Sequence, residues 1–251
     1  MMEGYPWYYQ RAIDMDLRGI KPILGPTGQG KSSSIPIVVS NNPDRKFIYM
    51  VNRKELLEEM AARFNPGECV ILRRDLEVVQ SVLLTQFDAF EAILADTRFV
   101  QYLKQARQTS KLKSLETPAI RRASEMVREM TVEKRLLPPW LSEQADKQAR
   151  IVLQAFYWVL KVTRDEKEQG SVYTWLVNHP VVETLFPAIP FRRRPEVRIL
   201  LMTLQKAYYG FYDGAQMRSL TDLSADERLV IFLDEFDFLE HDLVKVICRA
   251  P

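Results

Sequence analysis

Gly25-Pro26-Thr27-Gly28-Gln29-Gly30-Lys31-Ser32 satisfies the pattern GxxxxGK[ST] in full, and it organises the rest of the chain. A loop of this kind wraps a polyphosphate in backbone N–H groups. Its lysine and hydroxyl then face the terminal phosphates and their magnesium ion. The three glycines permit tight turning and a close backbone approach. Ile20-Lys21-Pro22-Ile23-Leu24 ahead of the loop is a short apolar run suited to a buried strand, with Pro22 confining regular pairing to its end. Behind it, Ser32 to Val39 begins with small residues and turns apolar, which predicts a helix against a sheet. Pro36 falls in the first turn, where its missing N–H has no intrahelical partner. The residues therefore imply a bound nucleoside triphosphate, held by Gly25, Pro26, Thr27, Gly28, Gln29, Gly30, Lys31, Ser32 and Ser33. The competing account is a Gly-rich turn before an ordinary helix.

A second stretch, Leu229-Val230-Ile231-Phe232-Leu233-Asp234-Glu235-Phe236-Asp237, gives the loop a partner. Five apolar residues ending in two acids predict a buried parallel strand that presents carboxylates at its C-terminal end. In a loop-type NTPase an acid there completes the magnesium shell, and a neighbouring glutamate orients the attacking water. Asp234 with Ser32 is the expected magnesium pair. Lys31, Asp234 and Glu235 are the expected catalytic residues, Glu235 as the water-orienting group. Standing alone, the stretch would equally fit a strand that runs into a solvated acidic turn.

Thr27-Gly28-Gln29-Gly30-Lys31-Ser32 and Asp234-Glu235-Phe236-Asp237 resemble motifs I and II of superfamily 2 helicases, the DExD class. Tyr9-Gln10-Arg11-Ala12-Ile13, with Gln10 fifteen residues ahead of Gly25, resembles the upstream glutamine motif of that family. Phe47 to Leu56 resembles motif Ia, and Leu200 to Lys206 the later strand-end motif. The resemblance spans roughly residues 5–75 and 195–245. It implies a RecA-like P-loop NTPase domain, a three-layer α/β fold with a parallel sheet. It also implies ATP and Mg2+ as cofactors, Gln10 as an adenine contact, and Asn52, Arg53, Lys54, Thr203 and Lys206 as contacts to DNA or RNA. Each has a plainer account. Gln10 suits a solvated face of a helix over residues 7–17, and Asn52, Arg53 and Lys54 suit the charged start of a helix over 55–64. Thr203, after a strand over 197–202, suits a helix cap.

Residues 69–72 predict a further strand, with Arg73-Arg74-Asp75 at its end. From about Leu76 to His179 the apolar spacing becomes helical. Val78, Val79, Val82, Leu83 and Phe87 fall on one face, and Ile151, Val152, Ala155, Phe156, Val159 and Leu160 on another. Pro138-Pro139 divides the region. The sequence thus divides into 1–90 (first part of the lobe), 91–190 (a large helical insertion) and 191–251 (second part, expected to be truncated). Between Arg98 and Glu168 lie fifteen Lys/Arg and nine Asp/Glu. That surplus suits either a nucleic-acid backbone or a solvated face laced with i,i+4 ion pairs. Arg192-Arg193-Arg194 is likewise a phosphate contact or a solubilising turn. Trp140, Tyr157, Trp158, Tyr173 and Trp175 are expected to be mostly core.

Composition excludes little. The 251 residues are 47% hydrophobic and 27% charged with a net charge of +2, ordinary for a globular protein. No apolar run approaches a membrane span, and the two distant cysteines, Cys69 and Cys248, fit a reducing interior, cytoplasmic or nuclear. His179 and His241 are isolated, and no Asn/Thr-Lys-x-Asp guanine-recognition pattern is present. A Ser-Ala-Thr-type motif III is also missing, as is the arginine-bearing second lobe that helicases of this class use. The expectation is therefore a motor lobe of a helicase or translocase that couples ATP hydrolysis to nucleic-acid remodelling. It would be weakly active alone and completed by a second RecA-like lobe on a longer chain or a partner. The alternatives are a nucleotide-gated regulator that never touches nucleic acid, and a binding module built on a degenerate NTPase core.

Overall fold

The structure, a computed structural model, describes residues 4–15, 30–132, 139–165, 171–224 and 229–234. In chain order it contains α1 (Tyr5–Asp14), α2 (Ile35–Asn41), β1 (Lys46–Val51), α3 (Lys54–Ala61), β2 (Cys69–Leu72), α4 (Asp75–Thr85), α5 (Phe87–Ala95), α6 (Thr97–Ser110), α7 (Thr117–Val132), α8 (Pro139–Asp165), α9 (Val172–Val177), α10 (Pro180–Leu185), α11 (Ala188–Arg193), β3 (Ile199–Thr203), α12 (Leu204–Tyr209), β4 (Phe211–Tyr212), β5 (Met217–Arg218), α13 (Leu220–Ser224) and β6 (Leu229–Leu233). A 3-10 turn over Ser32–Ser34 leads into α2, and Pro36 sits in the first turn of that helix. No single helix among the described residues is long and apolar enough to cross a membrane.

The chain divides into two compact units. The first comprises Met1–Leu72, Phe191–Phe211 and Arg218–Pro251; the second comprises Arg73–Pro190 and Tyr212–Met217. The first unit is built on a four-stranded sheet in the order β2-β3-β1-β6. Every pairing in it is parallel. Parallel strands covered on both faces read as continuous apolar runs, and β1 and β3 do so, with Phe47 to Val51 and Ile199 to Met202 all buried. One face packs against Ile35, Val38 and Val39 of α2 and Leu57 and Met60 of α3. Phe232 of β6 stacks on Phe47 with ring centroids 5.9 Å apart and meets Tyr9 of α1 edge-on at 5.4 Å.

Arg198, just before β3, ties this unit together. Its guanidinium donates to the Val39 carbonyl (3.1 Å), to the Arg45 carbonyl (3.3 Å) and to the Asn42 carbonyl. The first and third of these lie at the C-terminal end of α2, where backbone donors are few. Lys46 lies alongside and donates to the carbonyls of Arg194 (2.6 Å) and Val197 (2.5 Å). Burial first, and then the charge of Arg198, push its ammonium below the usual lysine range.

The second unit is helical. α8 supplies its spine, with Ala145, Ala149, Val152, Ala155, Phe156, Val159 and Leu160 fully buried at helical spacing. It packs against α4, α6, α7 and α9. Phe156 lies between Phe90 (5.8 Å) and Phe99 (5.0 Å). α4 also packs on α10, and the Gln86 amide donates to the Thr184 hydroxyl at 2.8 Å. Tyr157, Trp158, Tyr173 and Trp175 are partly buried against this core, whereas Trp140 is 60% exposed. A tight turn closes on Gly214, whose carbonyl accepts from both Tyr173 (2.5 Å) and Tyr212 (2.8 Å). Its φ of 93° favours glycine there, and an added Cβ would also crowd the Ile189 side chain at 3.3 Å.

Candidate functional site

In a parallel sheet every strand ends on the same edge, and ligands of such folds gather at the carboxyl ends. The register makes this explicit. Leu72 pairs with Met202, Met202 with Met50, and Met50 with Leu233. The next residue along β3 is Thr203, paired with Val51, and the next after β6 is Asp234. The Asp234 amide donates to the Met50 carbonyl at 3.0 Å, which continues the ladder by one bond beyond the strand. One edge of the sheet therefore collects Asp234, Asn52-Arg53-Lys54 and Thr203 to Lys206.

The loop's described end arrives at this edge. Gly30 has φ 79°, a conformation that L side chains rarely adopt, and its carbonyl accepts from the Ser34 amide (3.1 Å) and the Ser34 hydroxyl (2.8 Å). This closes the turn that sets Lys31 and Ser32. The Ser32 hydroxyl donates to Oδ2 of Asp234 at 2.6 Å, joining residues 202 positions apart in sequence. A charge-assisted O–H···O⁻ bond falls at this distance. The motif residues Gly25, Pro26, Thr27, Gly28, Gln29 and Glu235 lie outside the described residues.

A second hydroxyl converges on the same oxygen. Tyr49 of β1, 2% exposed, donates to Oδ2 of Asp234 at 2.6 Å. Burial and then this bond raise its phenol well above the usual tyrosine range, which favours the protonated, donating form. Tyr9 lies nearby; burial first and the Asp234 charge second push its phenol up to about 12. Arg63, in the turn after α3, donates to the Ser33 hydroxyl at 3.2 Å and so places a cation beside the loop helix. Arg63 carries no sequence signal of function, and Tyr49 lies inside the stretch Phe47 to Leu56 without being singled out by it. Tyr49 reads as one more apolar residue of a buried strand, and only the polar tip of its ring hints otherwise.

The remaining candidates have structural occupations. The Gln10 amide exchanges two hydrogen bonds with the Asn42 amide (3.1 and 2.8 Å) and donates to Asp14 at 2.7 Å. An adenine contact through its N–H2 would require it to give up one of these, whereas one through its oxygen would not. Thr203 caps α12, its hydroxyl accepting from the Lys206 amide at 3.3 Å. Arg53 occupies the N-cap position of α3 in extended conformation, and Arg53 and Lys54 are exposed while Asn52 is partly buried. In the helical unit several cations are already engaged. Arg98 pairs with Asp96, Arg121 with Glu91, Arg107 with Glu116, and Lys147 with Glu143 one helical turn away. Arg98 also covers Trp175, and Lys161 covers Trp158, at 4.3 and 4.6 Å from the ring centroids.

The donor set fits a hard divalent cation. Ser32 and Asp234 offer a hydroxyl and a carboxylate oxygen 2.6 Å apart, the hard-oxygen type of donor that magnesium commonly takes together with phosphates and water. Among the described residues no group of three or more His, Cys, Asp or Glu side chains could hold a metal by themselves. No protein-family model matches the chain, and no curated protein matches it in sequence.

Proposed function

We propose that the chain is a RecA-like, ATP-binding motor lobe of a helicase or translocase, with the helical unit as an insertion between its two halves. The observation that carries this is the 2.6 Å bond between Ser32 and Asp234, which joins the end of the phosphate loop to the acid of the distant apolar strand. The two motifs were read separately in sequence, and their meeting at the carboxyl edge of a parallel sheet is what a triphosphate site requires. Backbone N–H groups from Thr27 to Lys31 cradle the phosphates, and Lys31 neutralises the β and γ groups. Ser32 and Asp234 hold magnesium, which when bound supplies charge neutralisation on the terminal phosphates. Glu235 orients water. Asn52, Arg53, Lys54, Thr203 and Lys206, gathered on the same edge, face DNA or RNA.

The test has two arms. Lys31→Ala should abolish Mg-ATP binding, and Glu235→Gln should retain binding while stopping turnover. Retained affinity in the first variant would contradict the phosphate site. Nucleic acid should raise the ATPase rate of the wild-type protein, and a rate indifferent to DNA and RNA would sink the motor assignment.

A specific observation favours a second reading, a nucleotide-gated regulator. Gln10 bonds to Asn42 and Thr203 caps α12, so two of the residues needed for helicase function are accounted for within the unit. In that case ATP binds with the same Lys31 dependence and nucleic acid has no effect.

A further inference from the structure

We propose that Tyr49 is a positioning residue for the metal: its hydroxyl holds the Asp234 carboxylate in the rotation that presents it, together with Ser32, to magnesium. The inference rests on the triphosphate site proposed above and adds to it a residue that neither sequence motif contains.

A carboxylate turns easily about its Cβ–Cγ bond, because terminal torsions of this type are broad and two-fold. Asp234 also sits one residue past the end of β6, where the ladder gives out. Two bonds to β1 restrain it. Its amide donates to the Met50 carbonyl at 3.0 Å, and its Oδ2 accepts from Tyr49 at 2.6 Å. The backbone bond fixes where the residue is, and the phenol fixes how its carboxylate is turned. β1 is a rigid support for this, paired with β3 on one side and β6 on the other, and buried from Phe47 to Val51.

The placement of the two hydroxyls matters as well. A carboxylate oxygen has two lone pairs. Ser32 and Tyr49 both donate to Oδ2, one from the loop side of the site and one from the sheet. Ser32 would also serve as a ligand of the metal when magnesium is bound. Tyr49 has no such task and keeps the carboxylate oriented throughout. Partners of this kind, which orient a metal ligand without touching the metal, typically change metal affinity by about 10–100-fold when removed.

Tyr49→Phe removes one oxygen and keeps the ring that packs in the core. The experiment measures binding of a fluorescent ATP analogue to the wild-type and variant proteins, across a magnesium titration and in EDTA, alongside thermal unfolding. The expected result is an upward shift of about tenfold or more in the magnesium concentration at half-saturation, with nucleotide affinity in EDTA unchanged. An unshifted magnesium midpoint refutes the positioning role while leaving the triphosphate site intact. An equal loss with and without magnesium, or a variant that no longer folds, places the hydroxyl in the fold and also refutes it. Wild-type protein that binds no nucleotide under any condition overturns the triphosphate site itself, and the inference with it.

Discussion

Replacing Arg198 with Met tests how the loop helix is anchored. The guanidinium serves three carbonyls, Val39, Asn42 and Arg45, two of them at the end of α2. A hydrogen bond to a charged group is worth about 1.5–3 kcal/mol net, so three would suggest a loss of about 5 kcal/mol or more. Two facts reduce that figure. The Val39 and Asn42 carbonyls each keep a backbone donor, from Asn42 and Arg45 respectively, and the Arg45 contacts are long at 3.3 Å. The side chain is also only half-buried, so water replaces part of what is lost. The expected cost is about 3 kcal/mol, or a fall in Tm of about 6–12 °C for a chain of this size. Circular dichroism at 222 nm would follow the melt. Hydrogen exchange would assign it, with faster exchange expected at the amides of α2 and β1 and little change in α8. Arg198→Lys should recover about half the loss, since it keeps the charge but not the planar fork. A shift under about 2 °C, or a loss that falls on α8, would refute the anchoring role.

Two further outcomes concern the helical unit. Phe156→Ala empties the space between Phe90 and Phe99, and should cost about 3–5 kcal/mol by chemical denaturation; a cost under about 1 kcal/mol would mean the core is not packed around that ring. His179 caps α10 through Nδ1, which accepts from the Val181 amide at 3.3 Å, and burial lowers its pKa. The unfolded chain therefore takes up the proton first, and stability present above the ordinary histidine pKa of about 6.5 should decline as pH falls below it. His179→Asn keeps a capping oxygen without the titration, so its unfolding midpoint should be flatter between pH 7 and pH 5, and an unchanged profile would exonerate this histidine.

The strands were legible because buried parallel strands are written as unbroken apolar runs. Residues 69–72 and 229–233 emerge with the expected bounds, and the third run was shifted by only one or two residues, to Ile199–Thr203. Pro36 marked the first turn of α2 for a local steric reason. The order of the strands was not legible, because hydrophobic periodicity carries no information about which run lies beside which. Nor was the break between α4 and α5 at Gln86; the apolar spacing from Val78 to Phe87 runs straight across it. Ser32 and Asp234, which the structure joins at 2.6 Å, could be named because each lies in a short sequence pattern. Tyr49 could not, because its role depends on the parallel pairing of β1 with β6, a property of the fold and not of any local stretch.

The strand order also constrains how the chain must assemble. β1 and β2 are close in sequence yet not paired; β3 lies between them and arrives much later, with Phe47 meeting Ile199 across 199 − 47 = 152 positions. On a growing polypeptide β1 and β2 therefore emerge before either of their described partners, β3 and β6, has been made. They must wait for the segment between to be made and ordered. Closing an unstructured loop of that length would cost about 4 kcal/mol in entropy before any pairing repays it. The helical unit offers a way round this. Its helices pack on one another, and its two ends are brought together when α4 packs on α10 and Gln86 meets Thr184. Once it has folded, fewer residues are left unfixed between β2 and β3. On this view the helices act as an internal template for topology, and the sheet should be the slow, last-formed part of the molecule.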